Sequence, residues 1–382
     1  MNLLLGTRPR SSITFALITF SFLGLFLSRL YFSRYPNRAT FIFNAIENLE
    51  CNDSNTTHAT EIPNIVHYVW LLRDPRVFRL EFKVFVSVYS SHLYLKPDTI
   101  YIHTDSSPEV YKEAKQSGDA WTRRILGLPN VVYNQVNPLS STNKGIAIKH
   151  LEHKADFLRI EALQRFGGLY LDTDAVPLRD ITPLRQSGFA NILGQNAALK
   201  MKHTGYINNG VMMSIPNSNF MDIWHQASHE FFDGRWETAS IALLTDLGNR
   251  LAAIPHEVLI LQPNAFAPMS WELGDQKRLF TPHSDVRAAG GRLHIGNRDP
   301  KEEDSCRDKI RWLQEEERPG KADWEVEFTS TYVLHAFDDH IKKIWGWDHQ
   351  INLEYVLARQ SNYAREVYPA IRHAIAAGII ES

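Results

Sequence analysis

The stretch KADFLRIEALQRFGGLYLDTDAVPLRD, residues 154–180, decides the fold of this chain. Around its first half, apolar side chains recur at intervals of three and four residues, which predicts an amphipathic helix. These apolar positions are Ile148, Leu151, Ala155, Leu158, Ala162 and Phe166. The pair Gly167-Gly168 suits the left-handed backbone that ends a helix. The apolar residues 169–171 then predict a short buried strand.

Two aspartates, Asp172 and Asp174, follow that strand directly. If the chain stays extended to residue 174, the period of two places both carboxylates on the same side. Hard oxygen ligands at the end of a buried strand suit a divalent cation and the phosphates that it carries. The alternative is a polar strand end with a solvated turn. Because neighbouring carboxylates repel each other unless a cation or hydrogen-bond donors lie between them, we predict a metal site here.

The composition is that of an ordinary globular protein. The 382 residues are long enough for one large domain or two small ones, and 44% are hydrophobic and 22% charged. The formal net charge is only −2, so the charge gives no reason to expect nucleic acid as a partner.

An apolar run without charges lies between Arg10 and Arg29. Its length is at the short edge of a membrane span, and the alternatives are a cleaved signal peptide or a buried helix. No small-residue cleavage site stands out after it, so residues 11–32 are predicted to be a signal-anchor transmembrane helix that follows a cytoplasmic tail at 1–10. The flanking arginines do not settle the orientation, because they lie on both sides of the run.

Two adjacent N-glycosylation sequons, at Asn52 and Asn55, favour a lumenal side for everything downstream of the anchor. Residues 33–60 are low in apolar content and lack strong periodicity, so they are predicted to be a lumenal stem. Cys51 and Cys306 are the two cysteines of the chain. They could form a disulfide or remain free, and they offer no zinc pattern.

Apolar runs and helical patterns alternate along residues 61–382. This order predicts a single α/β domain with a mostly parallel, doubly wound sheet flanked by helices. Strands are predicted at 62–70, 99–105, 131–133, 169–171, 192–194, 210–214 and 331–337. Besides the helix before Gly167, helices are predicted at 82–94, 220–232, 238–253 and 350–376, the last interrupted near Pro369. Residues 299–327 are charge-dense and are predicted to be a solvated surface insertion.

The run A-D-x-x-R-x-x-x-L-x-x-x-G-G-x-Y-x-D-x-D, filled by Ala155 through Asp174, resembles the signature of the DXD sugar transferases. The similarity is greatest to glycosyltransferase family 32, and it extends loosely to residues 62–70, 208–212 and 335–337. The resemblance implies a GT-A fold, Mn²⁺ (or Mg²⁺), retention of anomeric configuration and a nucleotide-sugar donor, either GDP-mannose or a UDP-hexose. It also implies a glycan or glycolipid acceptor and a Golgi type II membrane protein, and on family grounds mannose is the favoured sugar.

The resemblance also implies roles for individual residues. Asp172 and Asp174 would be the catalytic residues: Asp174 would bind the metal directly, and Asp172 would hold the metal or the donor ribose. His335 would be the third protein ligand, with His283 as its competitor. The remaining site residues would contact the donor: Asp156, Arg159 and Asn209 at its sugar, and His67 and Asp105 at its nucleotide. From spacing alone, Asp156 and Arg159 could equally form an ordinary intrahelical ion pair.

One departure from the family pattern concerns acceptor recognition. Family members often carry Thr-Gly-Pro where Thr238-Ala239-Ser240 stands in this chain. Two other functions fit parts of the sequence. A phosphohydrolase with an aspartate nucleophile would need the Asp338-Asp339 pair. A membrane-anchored, lumenal carbohydrate-binding protein without turnover would not need the intact Asp-Thr-Asp.

Overall fold

The computed structural model describes residues 36–47, 61–197, 205–284, 322–343 and 350–381. The chain divides into two compact units, residues 1–54 and 55–382. The first contains helix α1 (Pro36–Glu47), which lies within the predicted stem and was not expected from its weak periodicity. The predicted tail, anchor, sequons and both cysteines lie outside the described residues. Within the described part of the chain, no helix has the length and apolar character needed to cross a membrane.

Seven described strands of the second unit form one mixed sheet, in the order β3-β2-β1-β4-β7-β6-β8. They are β1 (Ile65–Val69), β2 (Thr99–Thr104), β3 (Val131–Gln135), β4 (Gly168–Leu171), β6 (Asn191–Gln195), β7 (Ile207–Ser214) and β8 (Val258–Leu261). Strand β7 is antiparallel to both neighbours, and the other pairs are parallel. The prediction of a mostly parallel sheet is therefore confirmed.

Two short strands form a second, antiparallel sheet that the sequence did not predict as a pair. They are β5 (Ala175–Pro177) and β9 (Val333–His335), and Ala175 pairs directly with His335. The predicted strand over 331–337 is thus shorter than expected. Because β5 follows β4 after a turn, this pairing brings the late part of the chain against the central strand.

Helices cover the sheet. They are α2 (Phe82–Ser90), α3 (Pro108–Ser117), α4 (Ala120–Leu126), α5 (Leu151–Phe166), α6 (Thr182–Arg185), α7 (Asn219–Phe231), α8 (Ile241–Leu251), α9 (Pro263–Phe266), α10 (Leu273–Phe280), α11 (Leu353–Ala358) and α12 (Asn362–Ala376). A π-helical turn (Ser91–Leu95) continues α2, and a 3₁₀ helix spans Asp338–Lys343. The predicted interruption near Pro369 is wrong, because Pro369 lies inside α12. The break comes at Arg359, whose φ is 53°, and at Ser361, which caps the new helix.

Helix α5 and strand β4 are the elements that the quoted stretch predicts. Of the predicted apolar stripe, Leu158 and Ala162 are buried, but Leu151, Ala155 and Phe166 are only half-buried. Ile148 lies before the helix, which begins at Leu151. Gly167 then adopts φ 63° and ψ −166°, a region that only glycine populates readily. A Cβ on Gly168 would lie 2.4 Å from the Ile65 carbonyl oxygen of β1, so the double glycine lets α5 lead straight into the centre of the sheet.

Candidate active site

The chain leaves the main sheet at Asp172. Strand β4 ends at Leu171, and the amide of Ala175 donates a hydrogen bond of 2.9 Å to the Asp172 carbonyl oxygen, which closes a turn over Asp172, Thr173 and Asp174. The extended arrangement predicted for these residues is therefore wrong. The chain turns because β5 pairs with β9 instead of continuing the main sheet.

His335 lies beside this turn because it is the register partner of Ala175. Its Nε2 atom is 3.3 Å from Asp174 Oδ1 and 3.7 Å from Asp172 Oδ2. One ligand atom from each of the three residues lies within 4.8 Å of the other two, so the group could hold a metal ion. The structure thus brings together the three ligands that the sequence proposed, at the carboxyl end of a central strand.

Hydrogen bonds fix the orientation of the His335 ring. Its Nδ1 lies 3.1 Å from Asn208 Oδ1, which also accepts a 2.6 Å bond from the Gly210 amide. Asn208 Nδ2 donates to Asn196 Oδ1, so the amide of Asn208 is held with its oxygen toward the histidine. Nδ1 must therefore carry the hydrogen, and Nε2 points toward the two carboxylates as metal-ligating histidines commonly do.

Gly210 has no side chain, and His335 and Asp172 occupy the space that a side chain at this position would fill. A Cβ at this position would lie 2.4 Å from His335 Cε1 and 2.5 Å from Asp172 Oδ2. Its carbonyl oxygen also accepts a 2.8 Å bond from the Asp172 amide. The sequence analysis gave this residue no role, although the N-N-G-V-M similarity at 208–212 was a signal for it.

The charges of the group favour a bound cation. Burial would lower the pKa of His335, but the carboxylates of Asp174 and Asp172 raise it above its ordinary value. Burial would raise the pKa of Asp174, but chiefly His335 brings it down to about 2. Two carboxyl groups thus converge on one imidazole nitrogen, and either a proton on that nitrogen or a cation can lie between them. The donor set therefore fits a divalent metal.

Arg159 links this group to Asp156. Its Nη2 atom is 3.3 Å from Asp172 Oδ1 and 3.2 Å from Asp156 Oδ1, and its Nη1 donates a 2.7 Å bond to the Asn209 carbonyl oxygen. The guanidinium lies 4.6 Å from the ring centroid of Tyr170, whose hydroxyl donates to Asp172 Oδ1. The intrahelical ion pair therefore exists, and Arg159 also reaches the metal-ligand group.

Asp156 and Asn209 lie on the same side of the site. Asn209 Nδ2 donates a 2.9 Å bond to Asp156 Oδ1. Burial raises the pKa of the Asp156 carboxyl to about 6, against the opposing charge of Arg159 and with a further contribution from Asp172. The structure thus places Asp156, Arg159 and Asn209 together beside Asp172, and their contacts with a donor stay a prediction.

Lys83 of α2 is a residue that the sequence analysis missed. Its Nζ is 2.7 Å from Asp338 Oδ1, and the Asp338 amide donates a 3.1 Å bond to Asp174 Oδ2. Burial alone would lower the pKa of Lys83, but the Asp338 carboxylate raises it. Lys83 is far from Asp174 and Asp338 in the sequence, so no local pattern could have identified it.

The structure places His67 in a buried chain of hydrogen bonds across β1, β2 and β3. The Gly167 carbonyl oxygen can only accept, so His67 Nε2 donates to it at 2.7 Å. His67 Nδ1 then accepts from His103 Nε2 at 2.9 Å, and His103 Nδ1 accepts from Asn134 Nδ2 at 2.7 Å. All four ring nitrogens are satisfied with both histidines neutral. The predicted contact of His67 with a nucleotide stays a prediction.

Asp105 and His283 are not part of the metal-ligand group. Asp105 Oδ1 accepts a 2.9 Å bond from the Leu72 amide, just beyond the end of β2, and its predicted role at the nucleotide stays a prediction. The His283 ring stacks on Trp324, with 4.3 Å between ring centroids. Among the described residues, the metal-ligand group contains His335 and not His283.

Residues 84–197 match the family described as "Glycosyltransferase sugar-binding region containing DXD motif". This region of the chain therefore belongs to the DXD-motif glycosyltransferase family. This confirms the resemblance that Ala155 through Asp174 carries. The matched region contains Asp156, Arg159, Asp172 and Asp174, whereas His335 comes from the later part of the chain.

The chain is similar to the "Glucan organizing enzyme 1" of Cryptococcus neoformans var. grubii, with 29% identity over 239 residues. The match covers 60% of this chain and 60% of the relative, so the chain spans less than two thirds of that protein.

Solved glycosyltransferase structures are also similar. The PaToxG glycosyltransferase is 14% identical, covers 57% of this chain and 80% of its own, and has a TM-score of 0.36. The glycosyltransferase GlyE of Streptococcus pneumoniae TIGR4 is 12% identical, covers 83% and 64%, and has a TM-score of 0.39. The galactosyltransferase LgtC is 14% identical, covers 53% and 74%, and has a TM-score of 0.32. Since these TM-scores are below 0.5, the fold description rests on the chain's own topology.

Proposed function

We propose that this chain is a metal-dependent, retaining glycosyltransferase that moves a hexose, with mannose favoured, from a nucleotide-sugar to a glycan or glycolipid acceptor. The observation that carries the proposal is the convergence of Asp172, Asp174 and His335 at the end of β4. The parallel strands β3-β2-β1-β4, with this group beside the last of them, support a GT-A type of fold. Retention and the preference for mannose rest on the family resemblance.

Asp172, Asp174 and His335 would hold the cation. An imidazole ligand beside two carboxylates favours Mn²⁺ over Mg²⁺, since Mg²⁺ prefers oxygen ligands throughout. Bound there, the cation would neutralise the negative charge of a nucleoside diphosphate as it departs. The three side chains would hold the cation and leave it accessible to the phosphates of the donor.

The other residues position and enclose the donor. Arg159 supplies a fixed positive charge between Asp172 and Asp156, and Lys83 supplies a second one on the Asp174 side. Asp156 can accept a hydrogen bond from a sugar hydroxyl through Oδ2, because Oδ1 is engaged by Asn209 and Arg159. In the transfer, the bond from the anomeric carbon to the diphosphate oxygen breaks and the diphosphate keeps the electron pair. The acceptor oxygen forms the new bond to the anomeric carbon and gives its proton to the departing diphosphate.

The direct test is a panel of nucleotide-sugars with the purified full chain, beginning with GDP-mannose and UDP-hexoses, with Mn²⁺ and with a chelator. We expect release of the nucleoside diphosphate from one donor, lost on chelation and restored by Mn²⁺. Sugar binding without metal-dependent release from any donor would instead support a carbohydrate-binding protein and overturn the proposal. Release of inorganic phosphate from phosphomonoesters would support a phosphohydrolase.

We further propose that residues 11–32 anchor the chain in the Golgi membrane as a single-pass type II protein with its catalytic unit in the lumen. The charge-free run and the sequons at Asn52 and Asn55 support this. Replacing each Asn by Gln should remove one N-glycan and increase electrophoretic mobility, and deleting residues 11–32 should release the chain from membranes. A wild-type chain that carries no glycan and washes off membranes in alkaline carbonate would contradict it.

A further inference from the structure

A concave feature lies beside Asp156, between α5 and the segment that joins α7 to α8. Its walls include side chains of α5 and of the α7–α8 connection. The residues that matter here are His153, Asp156, Phe232, Trp236 and Ser240. The metal-ligand residues do not line it, although its wall at Asp156 is one side chain away from Asp172 through Arg159.

His153 has no hydrogen-bond partner in this pocket. Only 3% of the residue is exposed, yet neither ring nitrogen has a partner among the described residues. Phe232 meets the ring edge-on at 5.2 Å between centroids and so offers it nothing polar. A neutral imidazole presents one donor and one acceptor, and leaving either unpaired in a buried position is unfavourable. A hydroxyl group, which both donates and accepts, is the natural partner for such a ring.

Trp236 stands at the mouth of the pocket. Its ring centroid is 5.2 Å from that of His153. Even so, 60% of the residue is exposed, which is the largest exposed fraction among the large hydrophobic residues in the described part of the chain. A flat, exposed indole face beside a buried hydrogen-bonding group suits a ligand with one apolar face and polar edges. A pyranose ring has this character, since its C–H groups form an apolar face and its hydroxyls lie at the rim.

The pocket follows the metal-ligand group along α5. Asp156 is three residues from both His153 and Arg159, so it is a neighbour of each on the helix surface. At a rise of about 1.5 Å per residue, His153 lies about 9 Å along the axis from Arg159, the residue that contacts Asp172. A sugar attached to a metal-bound diphosphate would reach Asp156, and the next ring toward the start of the helix would meet His153 and Trp236.

We propose that this pocket binds the terminal pyranose of the acceptor, with the sugar ring stacked on Trp236 and one of its hydroxyls hydrogen-bonded to His153. The inference rests on the proposed function, and it assigns acceptor recognition to the connection in which Thr238-Ala239-Ser240 departs from the family pattern. Ser240 contributes to the wall while its hydroxyl donates a 2.8 Å bond to the Trp236 carbonyl oxygen, which holds the connection in shape.

The test uses the full chain with Mn²⁺ and methyl glycosides of mannose, galactose, glucose and N-acetylglucosamine as acceptor probes. Trp236→Ala should raise the KM of the accepted glycoside at least tenfold, which corresponds to about 1.4 kcal/mol. The KM of the nucleotide-sugar should change by less than twofold. Trp236→Phe, which keeps an aromatic face, should recover part of the loss. His153→Phe, which keeps a ring but removes both nitrogens, should also raise the acceptor KM. Leu273→Ala, another exposed apolar side chain, is the matched control.

A second measurement needs no turnover. Saturation-transfer NMR should show binding of at least one methyl glycoside to the wild-type chain and its loss in Trp236→Ala. Binding without turnover of any donor would refute the proposed function and leave the sugar pocket standing. The pocket assignment is overturned if the wild-type chain binds none of the glycosides. It is also overturned if Trp236→Ala raises the donor KM as much as the acceptor KM, or if it changes neither.

Discussion

Asn208 Oδ1 lies 3.1 Å from His335 Nδ1 and directs the other nitrogen of the ring toward Asp172 and Asp174. The relationship joins strand β7 of the main sheet to strand β9 of the small sheet. The side-chain hydrogen bonds of Asn208 go to Asn196, Gly210 and His335 and not to either carboxylate. Its effect on the proposed metal site therefore comes through the orientation of the histidine.

Replacing Asn208 by Leu should therefore weaken metal binding without removing a ligand. Loss of such an orienting partner typically costs 10–100-fold in metal affinity, and we expect a weakening of about this size for Mn²⁺. Titration followed by electron paramagnetic resonance of free Mn²⁺ measures it. Asn264→Ala, which removes an exposed side-chain bond to Ser330, is the control. Equal Mn²⁺ affinity in the wild type and Asn208→Leu would refute the orienting role.

Asp174→Asn should abolish transfer while leaving the fold intact. The change keeps the size of the side chain but removes a charge that the cation requires, so we expect a fall in kcat/KM of about 100-fold or more. Donor turnover and circular dichroism are measured together. Asp98→Asn, an exposed loop carboxylate, is the control and should behave as wild type. Normal transfer by Asp174→Asn would show that the site assignment is wrong.

Gly210→Ala should disturb fold and site together. The new methyl group would overlap His335 and Asp172, and such overpacking costs about 1–3 kcal/mol in the free energy of unfolding. Urea unfolding measures that cost, and Mn²⁺ titration measures the displacement of the ligands. Gly188→Ala serves as the comparison, because its φ of 83° imposes backbone strain of about 1–2 kcal/mol where no atom lies within 4 Å. Mn²⁺ affinity should fall in the first variant and not in the second.

The buried His67–His103 pair should make the fold less stable in mild acid. Burial lowers the pKa of His67 to about 4, against its bond to Gly167. Burial also lowers the pKa of His103 to about 3, with smaller contributions from His67 and Arg165. The unfolded chain takes up these protons near pH 6.5, before the folded chain does. The stabilisation is therefore complete above pH 6.5 and decreases as the pH falls toward 4, by an amount on the order of a few kcal/mol.

Urea unfolding between pH 4 and pH 8 tests this dependence. The double variant His67→Gln/His103→Gln should show a shallower decline, whereas His92→Gln, outside this chain of hydrogen bonds, should follow the wild type. An unchanged slope in the double variant would mean that other groups cause the acid sensitivity.

The local pattern predicted what lies close together in the chain. The spacing of apolar residues before Gly167 found α5, and the apolar run after it found β4. Features that depend on distant pairing escaped prediction. The turn at Asp172 forms because β5 pairs with β9, and Lys83 reaches the site from α2, so neither has a local signature. His335 was identified through the family resemblance, since an isolated histidine carries no spacing information.

The pairing of β5 with β9 also has a consequence for biosynthesis. Asp172 and Asp174 leave the ribosome well before His335, and the register of Ala175 with His335 cannot form until the later strand exists. A partly synthesised chain therefore has two of its three ligands and cannot close the coordination group. On the proposed function, a chain truncated before Val333 would lack the third ligand however well its main sheet had formed.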